Sequence, residues 1–268
     1  MPLIELQAGS AIFAVSPEAG GSITRHASHH GGRTLEWLRP APPEAIEQRS
    51  SGATSCFPMV PFSNRIRDAR FHFRGRLIEL PPNLLPEPHA IHGHAWREPW
   101  EVIDQTNSTA ALEYRHAADE WPWTYRARQD LALSAERVTV RMSVRNESSD
   151  PMPVVFGLHP YFVRTPRSRL RATVGQMWRA DTNAMPAELV APPPDLSLTA
   201  RGLDPDATPL DNNFIRFGGT AVADWPEWNA RLRLSADPVF RCLVYTPPGR
   251  DFYCAEAGHQ LHRRVQSG

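Results

Sequence analysis

The chain has 268 residues, 41% of them apolar, and its 29 arginines and 29 acidic residues give a formal net charge of zero. The absence of lysine excludes Schiff-base chemistry on a lysine and the lysine of a nucleotide-binding P-loop. Because the arginines are interleaved with acids, no basic face predicts nucleic-acid binding, and no apolar run approaches the roughly 20 residues that span a bilayer.

The N-terminal segment MPLIELQAGS lacks the basic and apolar regions of a signal peptide, so a cytoplasmic protein is expected. The three cysteines, Cys56, Cys242 and Cys254, are odd in number and have no C-x-x-C spacing. They predict reduced thiols rather than a disulfide framework or a zinc ribbon.

Two proline-rich stretches in the first part of the chain, at residues 39–45 and 81–89, are predicted as loops between strands. Between them, CFPMVPFSNRIRDARF at 56–71 sets Asn64 and Arg65 among apolar and aromatic residues. A guanidinium group there offers a rigid fork of hydrogen-bond donors to a ligand.

The segment HAIHGHAW at 89–96 comes next and places His92 and His94 on either side of Gly93. A glycine allows a ligand to approach the backbone closely. The alternative is a metal site with nitrogen ligands from His89, His92 and His94. The spacing, however, fits neither a helical metalloprotease nor a zinc finger.

The stretch VTVRMSVRN at 138–146 alternates apolar and polar residues and predicts a strand with one buried face. Further on, VVFGLHPYF at 154–162 places His159 inside an apolar run and directly before Pro160, which favours an extended backbone. A buried imidazole needs hydrogen-bond partners. His159 is therefore either a core histidine bonded to a neighbouring carbonyl or a functional group.

The proline-rich stretch at 191–195 is predicted as a third loop. After it, PLDNNFIRF at 209–217 carries Asp211, whose Asp-Asn-Asn run also fits a turn. The run RDFYCAEAGHQ at 250–260 carries Glu256. This carboxylate is either a solvated strand end or a functional group, because burial without partners would be costly.

Alternation with period two predominates along the chain, with RLRLS at 231–235 as a further predicted strand. The 27 prolines interrupt short segments, and each would cost a helix interior about 3 kcal/mol. The prediction is an all-β protein of stacked antiparallel sheets, a sandwich or barrel, with few short helices. Without an internal repeat or a clear linker, residues 1–268 are predicted to form a single domain.

Five motifs, taken in order, resemble the aldose 1-epimerases, or galactose mutarotases: NRI with its flanking FP and PFS, HG at 92–93, HPYF at 159–162, LDNNF at 210–214 and the final YCAE. The resemblance implies a large antiparallel β-sandwich, the galactose mutarotase-like supersandwich. It also implies a cytoplasmic enzyme, a monomer or homodimer, that uses no metal or cofactor. The expected partner is a free sugar whose α and β anomers are interconverted, and neither nucleic acid nor a membrane is implied.

The resemblance assigns Glu256 as the general base, His159 as the general acid and His92 as a second histidine close to the reacting centre. Ring opening of a pyranose requires the C1 hydroxyl to lose a proton while the ring oxygen gains one. A carboxylate and an imidazolium on opposite sides of the sugar would suffice.

The resemblance also assigns sugar hydroxyl binding to Arg65 and Asp211, with Asn64 supporting Arg65. Trp96 and Trp178 are candidates to cover an apolar face of the sugar. Charge-assisted hydrogen bonds from the arginine and the aspartate would fix the orientation of the substrate.

Two alternatives use the same scaffold. A hexose-6-phosphate 1-epimerase would need a basic phosphate pocket, for which Arg67, Arg70 and Arg74 are candidates. The second alternative is a non-catalytic sugar-binding protein, in which an altered C-terminus has disabled the base. The reason to consider it is that Ala257 stands where the family usually has proline and the chain ends at Gly268. An altered end would also expose a strand edge that favours self-association.

Overall fold

Strands make up nearly all the regular structure of this chain. The computed structural model describes residues 3–237 and 241–258, and their contacts divide them into two units. The first unit contains residues 3–36 and 40–157, and the second contains residues 37–39, 158–237 and 241–258. The prediction of one domain over residues 1–268 stays a prediction.

The first unit contains thirteen strands and one short α-helix. In chain order these are β1 Ile4–Ala8, β2 Ala11–Ser16, β3 Ser22–His30, β4 Arg33–Glu36, α1 Pro43–Glu47, β5 Cys56–Met59, β6 Arg65–Ile66, β7 Arg70–Phe73, β8 Arg76–Glu79, β9 Ala90–Ile91, β10 Glu101–Gln105, β11 Thr109–His116, β12 Tyr125–Leu133 and β13 Val138–Asn146. Single 3-10 turns cover Ser51–Ala53, Arg67–Ala69 and Ala95–Arg97.

Two sheets account for most of the first unit. Strands β1, β2 and β3 form an antiparallel meander, and both β4 and β5 pair with β3. Strands β10 to β13 form a second antiparallel meander. Alternate residues of β12 are buried, which gives this sheet one face on the core. The predicted strand at 138–146 is confirmed as β13, although its apolar side chains are only half-buried.

The second unit contains nine strands, of which β14 starts one residue earlier, at the end of the first unit. They are β14 Gly157–Val163, β15 Arg169–Ala172, β16 Met177–Ala180, β17 Pro186–Val190, β18 Asp211–Phe214, β19 Thr220–Trp225, β20 Ala230–Ser235, β21 Arg241–Tyr245 and β22 Phe252–Gly258. Short 3-10 turns cover Pro194–Leu196 and Pro226–Trp228. The predicted strand at 231–235 is confirmed as part of β20.

The larger sheet of the second unit has the strand order β14-β22-β21-β18-β16-β17. A smaller antiparallel sheet has the order β15-β19-β20. The core of this unit is aromatic, with Trp225, Tyr253 and Phe214 fully buried. The buried indole Nε1 of Trp225 donates a hydrogen bond to the carbonyl of Val163 at 2.9 Å, so its polar atom is satisfied.

The prediction of an all-β protein with few short helices is confirmed, with one correction in the stretch 39–45. That stretch was expected to be a loop, but α1 begins at Pro43 and buries Ala45. Proline is compatible with the first helical position because the missing N–H has no partner there in any helix. No helix in residues 3–237 and 241–258 is both long enough and apolar enough to cross a membrane.

Candidate active site

The second unit places two of the predicted site residues in direct contact. His159 lies in β14 and Glu256 in β22, which are neighbouring strands of one sheet. The imidazole Nε2 lies 3.1 Å from the Glu256 carboxylate Oε1, and the residues are 7% and 3% exposed. The alternative of a solvated strand end for Glu256 is therefore wrong. The His159 ring therefore has a carboxylate partner, which the core alternative, a bond to a neighbouring carbonyl, did not predict.

Strand alternation explains which side chains surround this pair. Side chains two residues apart in a strand share a face, so Phe252 and Glu256 lie on the same face of β22. Tyr161 accompanies His159 in the same way on β14. The His159 and Tyr161 rings stack with centroids 4.6 Å apart, and Tyr161 meets Phe252 edge-on at 4.9 Å. The aromatic rings thus fix the orientation of the imidazole.

Arg39 lies beside the same aromatic rings. Its guanidinium carbon is 4.1 Å from the centroid of Tyr161 and 4.6 Å from that of Phe252. Its backbone N–H donates to the carbonyl of Tyr161 at 2.8 Å. No pattern in the sequence indicates this arginine, because it precedes His159 by 120 residues and belongs to no motif.

Asp211 lies on the same sheet as the pair. It begins β18 and is opposite Tyr245 of β21, which in turn is opposite Cys254 of β22. Residues opposite each other in neighbouring strands point to the same face. Asp211 therefore faces the same side as Glu256, two strand spacings or roughly 10 Å from β22. The alternative that residues 211–213 form a turn is wrong, since they are part of a strand.

Trp178, one of the two tryptophan candidates, is also in this sheet. It lies in β16 opposite Asn213, and its carbonyl accepts a hydrogen bond from the Asn212 side chain at 2.8 Å. The indole is half-buried. Its role against a sugar stays a prediction.

The first unit brings Asn64, Arg65 and His92 together. The backbone N–H of Asn64 donates to His92 Nδ1 at 3.1 Å, and the N–H of His92 donates to the Asn64 carbonyl at 3.0 Å. The Asn64 side-chain oxygen accepts from the Arg65 N–H at 2.7 Å. Asn64 and His92 have positive φ angles of 63° and 59°. Such strained backbone in non-glycine residues is concentrated at functional sites.

The Arg65 guanidinium makes a two-point contact with Glu87. Its Nε donates to Oε2 at 2.8 Å and its terminal NH2 group donates to Oε1 at 3.1 Å. This hydrogen bonding holds the pKa of the Glu87 carboxyl below its ordinary value, against the opposing effect of partial burial. The sequence analysis did not foresee Glu87, which lies 22 residues after Arg65.

Gly93 has a different role from the one predicted. Its φ angle is +71°, and a Cβ at this position would lie 2.0 Å from the Val60 carbonyl oxygen. The missing side chain therefore makes room for the backbone of this chain, rather than for a ligand. Nearby, Phe57 meets the His92 ring edge-on at 5.6 Å and stacks on Trp96 at 5.1 Å.

The histidines of the segment 89–96 do not form a metal site. The Nδ1 atom of His89 accepts a hydrogen bond from the Asp68 N–H, whereas that of His92 is occupied by Asn64. His94 Nε2 shares a hydrogen bond of 2.8 Å with the Tyr125 hydroxyl. Each ring therefore has a partner of its own.

The six predicted site residues thus form two groups of three. His159, Glu256 and Asp211 share one face of a sheet in the second unit, and Asn64, Arg65 and His92 form a hydrogen-bonded cluster in the first. Ala257 is part of β22, opposite Cys242. The predicted strand edge beyond it, at residues 259–268, lies outside the described residues.

Comparison with known proteins agrees with the fold class that this architecture defines, an all-β protein of large antiparallel sheets. Residues 2–264 match the family model "Aldose 1-epimerase". The chain belongs to the aldose 1-epimerase family. The family resemblance predicted from the five motifs is therefore confirmed.

The chain is similar to the uncharacterized protein YphB of Escherichia coli strain K12, with 28% identity over 92% of this chain and 90% of that protein. A crystal structure of a putative aldose 1-epimerase from E. coli K12 aligns with 100% of this chain and with 91% of its own chain. The identity is 25% and the TM-score is 0.88. A galactose mutarotase-like protein from Clostridium acetobutylicum matches 98% of this chain and 88% of its own, with 20% identity and a TM-score of 0.81. The predicted galactose mutarotase-like fold is confirmed.

Proposed function

We propose that this protein is an aldose 1-epimerase, a mutarotase that interconverts the α and β anomers of a free aldose. The observation that carries the proposal is the buried contact of 3.1 Å between His159 Nε2 and Glu256 Oε1. A proton acceptor and a proton donor held side by side in a dry environment can serve two neighbouring oxygens of one substrate. Membership of the aldose 1-epimerase family supports the same reaction class.

The geometry changes one feature of the expected mechanism. The acid and the base are adjacent, whereas the chemistry alone suggested groups on opposite sides of the sugar. Adjacency fits the substrate, because the C1 hydroxyl oxygen and the ring oxygen of a pyranose are bonded to the same carbon. The two groups therefore need to reach atoms that are themselves close together.

Ring opening then proceeds in one proton relay. The Glu256 carboxylate removes the proton of the C1 hydroxyl, while the His159 imidazolium donates a proton to the ring oxygen and the bond between C1 and that oxygen breaks. The product is the open-chain aldehyde. After rotation about the C1–C2 bond, neutral His159 recovers its proton, protonated Glu256 returns the other to the C1 oxygen, and the opposite anomer forms.

The remaining residues support this proposal through binding. Asp211 shares the face of the pair and is suited to accept hydrogen bonds from sugar hydroxyls. For Arg65, with Asn64 in support, the family motif favours sugar binding, and His92 stays the predicted second histidine close to the reacting centre. A metal or cofactor has no role in the proposed steps. A cytoplasmic location and a monomeric or homodimeric state stay predictions.

The alternative of a hexose-6-phosphate 1-epimerase gains no support from its candidate arginines. Arg67, Arg70 and Arg74 are all exposed, on or beside the hairpin of β7 and β8. An exposed cluster lacks the low dielectric environment in which a phosphate would be held tightly.

The experiment that tests the proposal follows the anomers directly. Freshly dissolved α-anomers of galactose, glucose, arabinose and fucose are mixed with the protein, and the approach to equilibrium is measured by polarimetry and by saturation-exchange NMR. We expect acceleration proportional to protein concentration for at least one sugar. If these sugars bind in NMR titrations but no rate changes, the protein is the non-catalytic alternative.

A further inference from the structure

The mechanism leaves one side chain beside the acid–base pair unexplained. Cys254 lies two residues before Glu256 in β22, on the same face of the strand, and it is fully buried. Its sulfur, a ring nitrogen of His159 and a carboxylate oxygen of Glu256 all lie within 4.8 Å of one another. In residues 3–237 and 241–258, this is the one set of three histidine, cysteine or acidic side chains whose ligand atoms converge in this way.

We propose that Cys254, His159 and Glu256 form a binding site for zinc, and that zinc inhibits the enzyme by occupying the acid–base pair. The metal would take the His159 nitrogen and the Glu256 oxygen that the proton relay needs. Binding of zinc depends on the three side chains alone, whereas its inhibitory effect rests on the proposed function.

The ligand types select the metal. Thiolate, imidazole and carboxylate together match zinc, whereas magnesium and calcium prefer oxygen ligands alone. Three protein ligands leave a fourth position of the tetrahedron for water or a sugar hydroxyl, as in zinc sites that stay accessible.

The distances allow the site to form with small movements. Zinc bonds of about 2.0–2.3 Å in a tetrahedron place the ligand atoms about 3.3–3.8 Å apart. The His159 and Glu256 atoms are already at 3.1 Å. Because no separation in the group exceeds 4.8 Å, the sulfur has to approach the other two atoms by no more than about 1.5 Å.

The neighbouring strand supplies a matched control. Cys242 is a buried thiol of β21 that is opposite Ala257, so its side chain points to the other face of the sheet from Glu256. Substitution of Cys242 by serine removes a buried thiol from the strand that pairs with β22 and leaves the three proposed ligands unchanged.

The binding test uses cobalt(II) as a coloured substitute for zinc, with titration followed by absorption spectroscopy. We expect one equivalent of Co²⁺ to give the intense near-ultraviolet band of a thiolate ligand in the wild-type protein, and stoichiometric Zn²⁺ to abolish it. The band should be absent in C254S and C254A and present in C242S. No thiolate band in the wild-type protein, or an undiminished band in C254S, would overturn the site. Circular dichroism and thermal unfolding show whether C254S and C254A are folded, and a folded variant is used for the titration.

The activity test measures anomer exchange at increasing Zn²⁺. We expect reversible inhibition that EDTA relieves, and an inhibitory concentration more than about tenfold higher in C254S, since even outer-shell changes at zinc sites cost 10–100-fold in affinity. C254S should keep its activity in EDTA. Activation by zinc, loss of activity in EDTA, or equal inhibition of both proteins would overturn inhibition at this site. If no sugar is epimerised, the proposed function fails while the cobalt titration still decides whether the metal site exists.

Discussion

Two regions of this protein bury histidines, and they differ in what each ring contacts. In the second unit His159 lies against the carboxylate of Glu256, with both side chains nearly inaccessible. In the first unit the rings of His94 and His116 pack at a tilt of 37° with centroids 4.3 Å apart, beside Tyr125. Buried imidazoles alone therefore do not mark an active site in this chain.

In the first region, burial keeps the side chains of His94 and Tyr125 uncharged near pH 7. Burial, aided by the neighbouring His116, lowers the pKa of His94 from 6.5 to about 4, so the ring is neutral at pH 7. Burial also raises the pKa of Tyr125 well above its ordinary value of 10. The nearby carboxylate of Asp119 contacts His116 at 3.2 Å but is 54% exposed, and solvent screens its charge.

The second region has the opposite design. There a buried carboxylate contacts the ring directly, and hydrogen bonds to an ionised partner are roughly twice as strong as those between neutral groups. Such a pair can exchange protons with a substrate, whereas a neutral histidine bonded to a neutral tyrosine cannot do so near pH 7. A charged partner that is itself buried, as Glu256 is and Asp119 is not, therefore separates the candidate acid–base pair from a core cluster.

The largest effect is expected when the negative charge of the Glu256 carboxylate is removed. We expect Glu256→Gln to lower kcat for mutarotation by about 10²–10⁴-fold, because the amide keeps the shape and loses the base. Saturation-exchange NMR measures the rate, and a ligand titration checks that sugar still binds. Retention of more than about a tenth of the wild-type rate would place the base elsewhere.

The next prediction applies the same substitution, histidine to asparagine, to one histidine in each region. His159→Asn should lower kcat/KM by roughly 10²–10⁴-fold and remove the alkaline limb of a bell-shaped pH profile, since asparagine cannot donate the proton. His94→Asn should leave the pH profile unchanged and lower the melting temperature. An unchanged alkaline limb in His159→Asn, together with its loss in His92→Asn, would transfer the acid role to His92.

Two half-buried histidines with lowered pKa values also predict how stability depends on pH. The pKa values of His26 and His94 are lowered by burial from 6.5 to about 4. Between these values the unfolded chain binds protons that the folded protein excludes. Their stabilising contribution is therefore complete above pH 6.5 and lost as the pH falls towards 4, by up to about 3 kcal/mol for each ring.

Urea unfolding at pH 7.5, 6 and 5 tests this in the wild-type protein and in His94→Asn. The variant should show a shallower loss of unfolding free energy below pH 6.5, since one of the two titrating rings is gone. Equal slopes for the two proteins would show that His94 is protonated without cost in the folded state.

Local sequence patterns predicted much of this fold, because strand alternation and proline frequency are local properties. Strands β13 and β20 were expected from period two, and the absence of long helices from the prolines. The helix at Pro43 was missed, since the proline-rich stretch gave no sign that its last residues begin a helical turn.

For the candidate site, the motifs predict residues but not how those residues are arranged. Nothing in YCAE or HPYF indicates that Glu256 and His159 contact each other, because the pairing of β14 with β22 is set by the whole sheet. The two-point contact of Arg65 with Glu87 and the stacking of Arg39 on Tyr161 are likewise tertiary. The spacing places Cys254 and Glu256 on one strand face, but the sequence predicts Cys254 only as a reduced thiol.

The buried His92 extends the comparison, because its neighbour Arg65 carries a charge. We expect Arg65→Lys to raise KM about tenfold to a hundredfold with a smaller change in kcat, because the ammonium loses the planar fork of donors. Steady-state kinetics measures both constants. Glu87→Gln is the control, since it breaks the same ion pair and keeps the guanidinium. An equal rise of KM in both variants, or a fall of kcat alone, would contradict direct binding by Arg65.

The smallest expected effect compares one aspartate from each of the two histidine regions. Asp211 faces the same side of its sheet as Glu256, whereas Asp119 borders the His94 and His116 cluster. We expect Asp211→Asn to raise KM about two- to tenfold, the range that corresponds to one hydrogen bond, with kcat nearly unchanged. Asp119→Asn should leave both constants unchanged, because that cluster takes no part in the proposed reaction.

Steady-state kinetics on the best substrate of the anomer panel distinguishes the outcomes for these two variants. A rise of KM in Asp119→Asn as large as that in Asp211→Asn would mean that the neutral histidine cluster also contacts the sugar. The charge of the histidine's partner would then no longer separate the two regions. No change in Asp211→Asn would instead confine substrate binding to residues nearer the pair, and Asp211 would serve only as the first residue of β18.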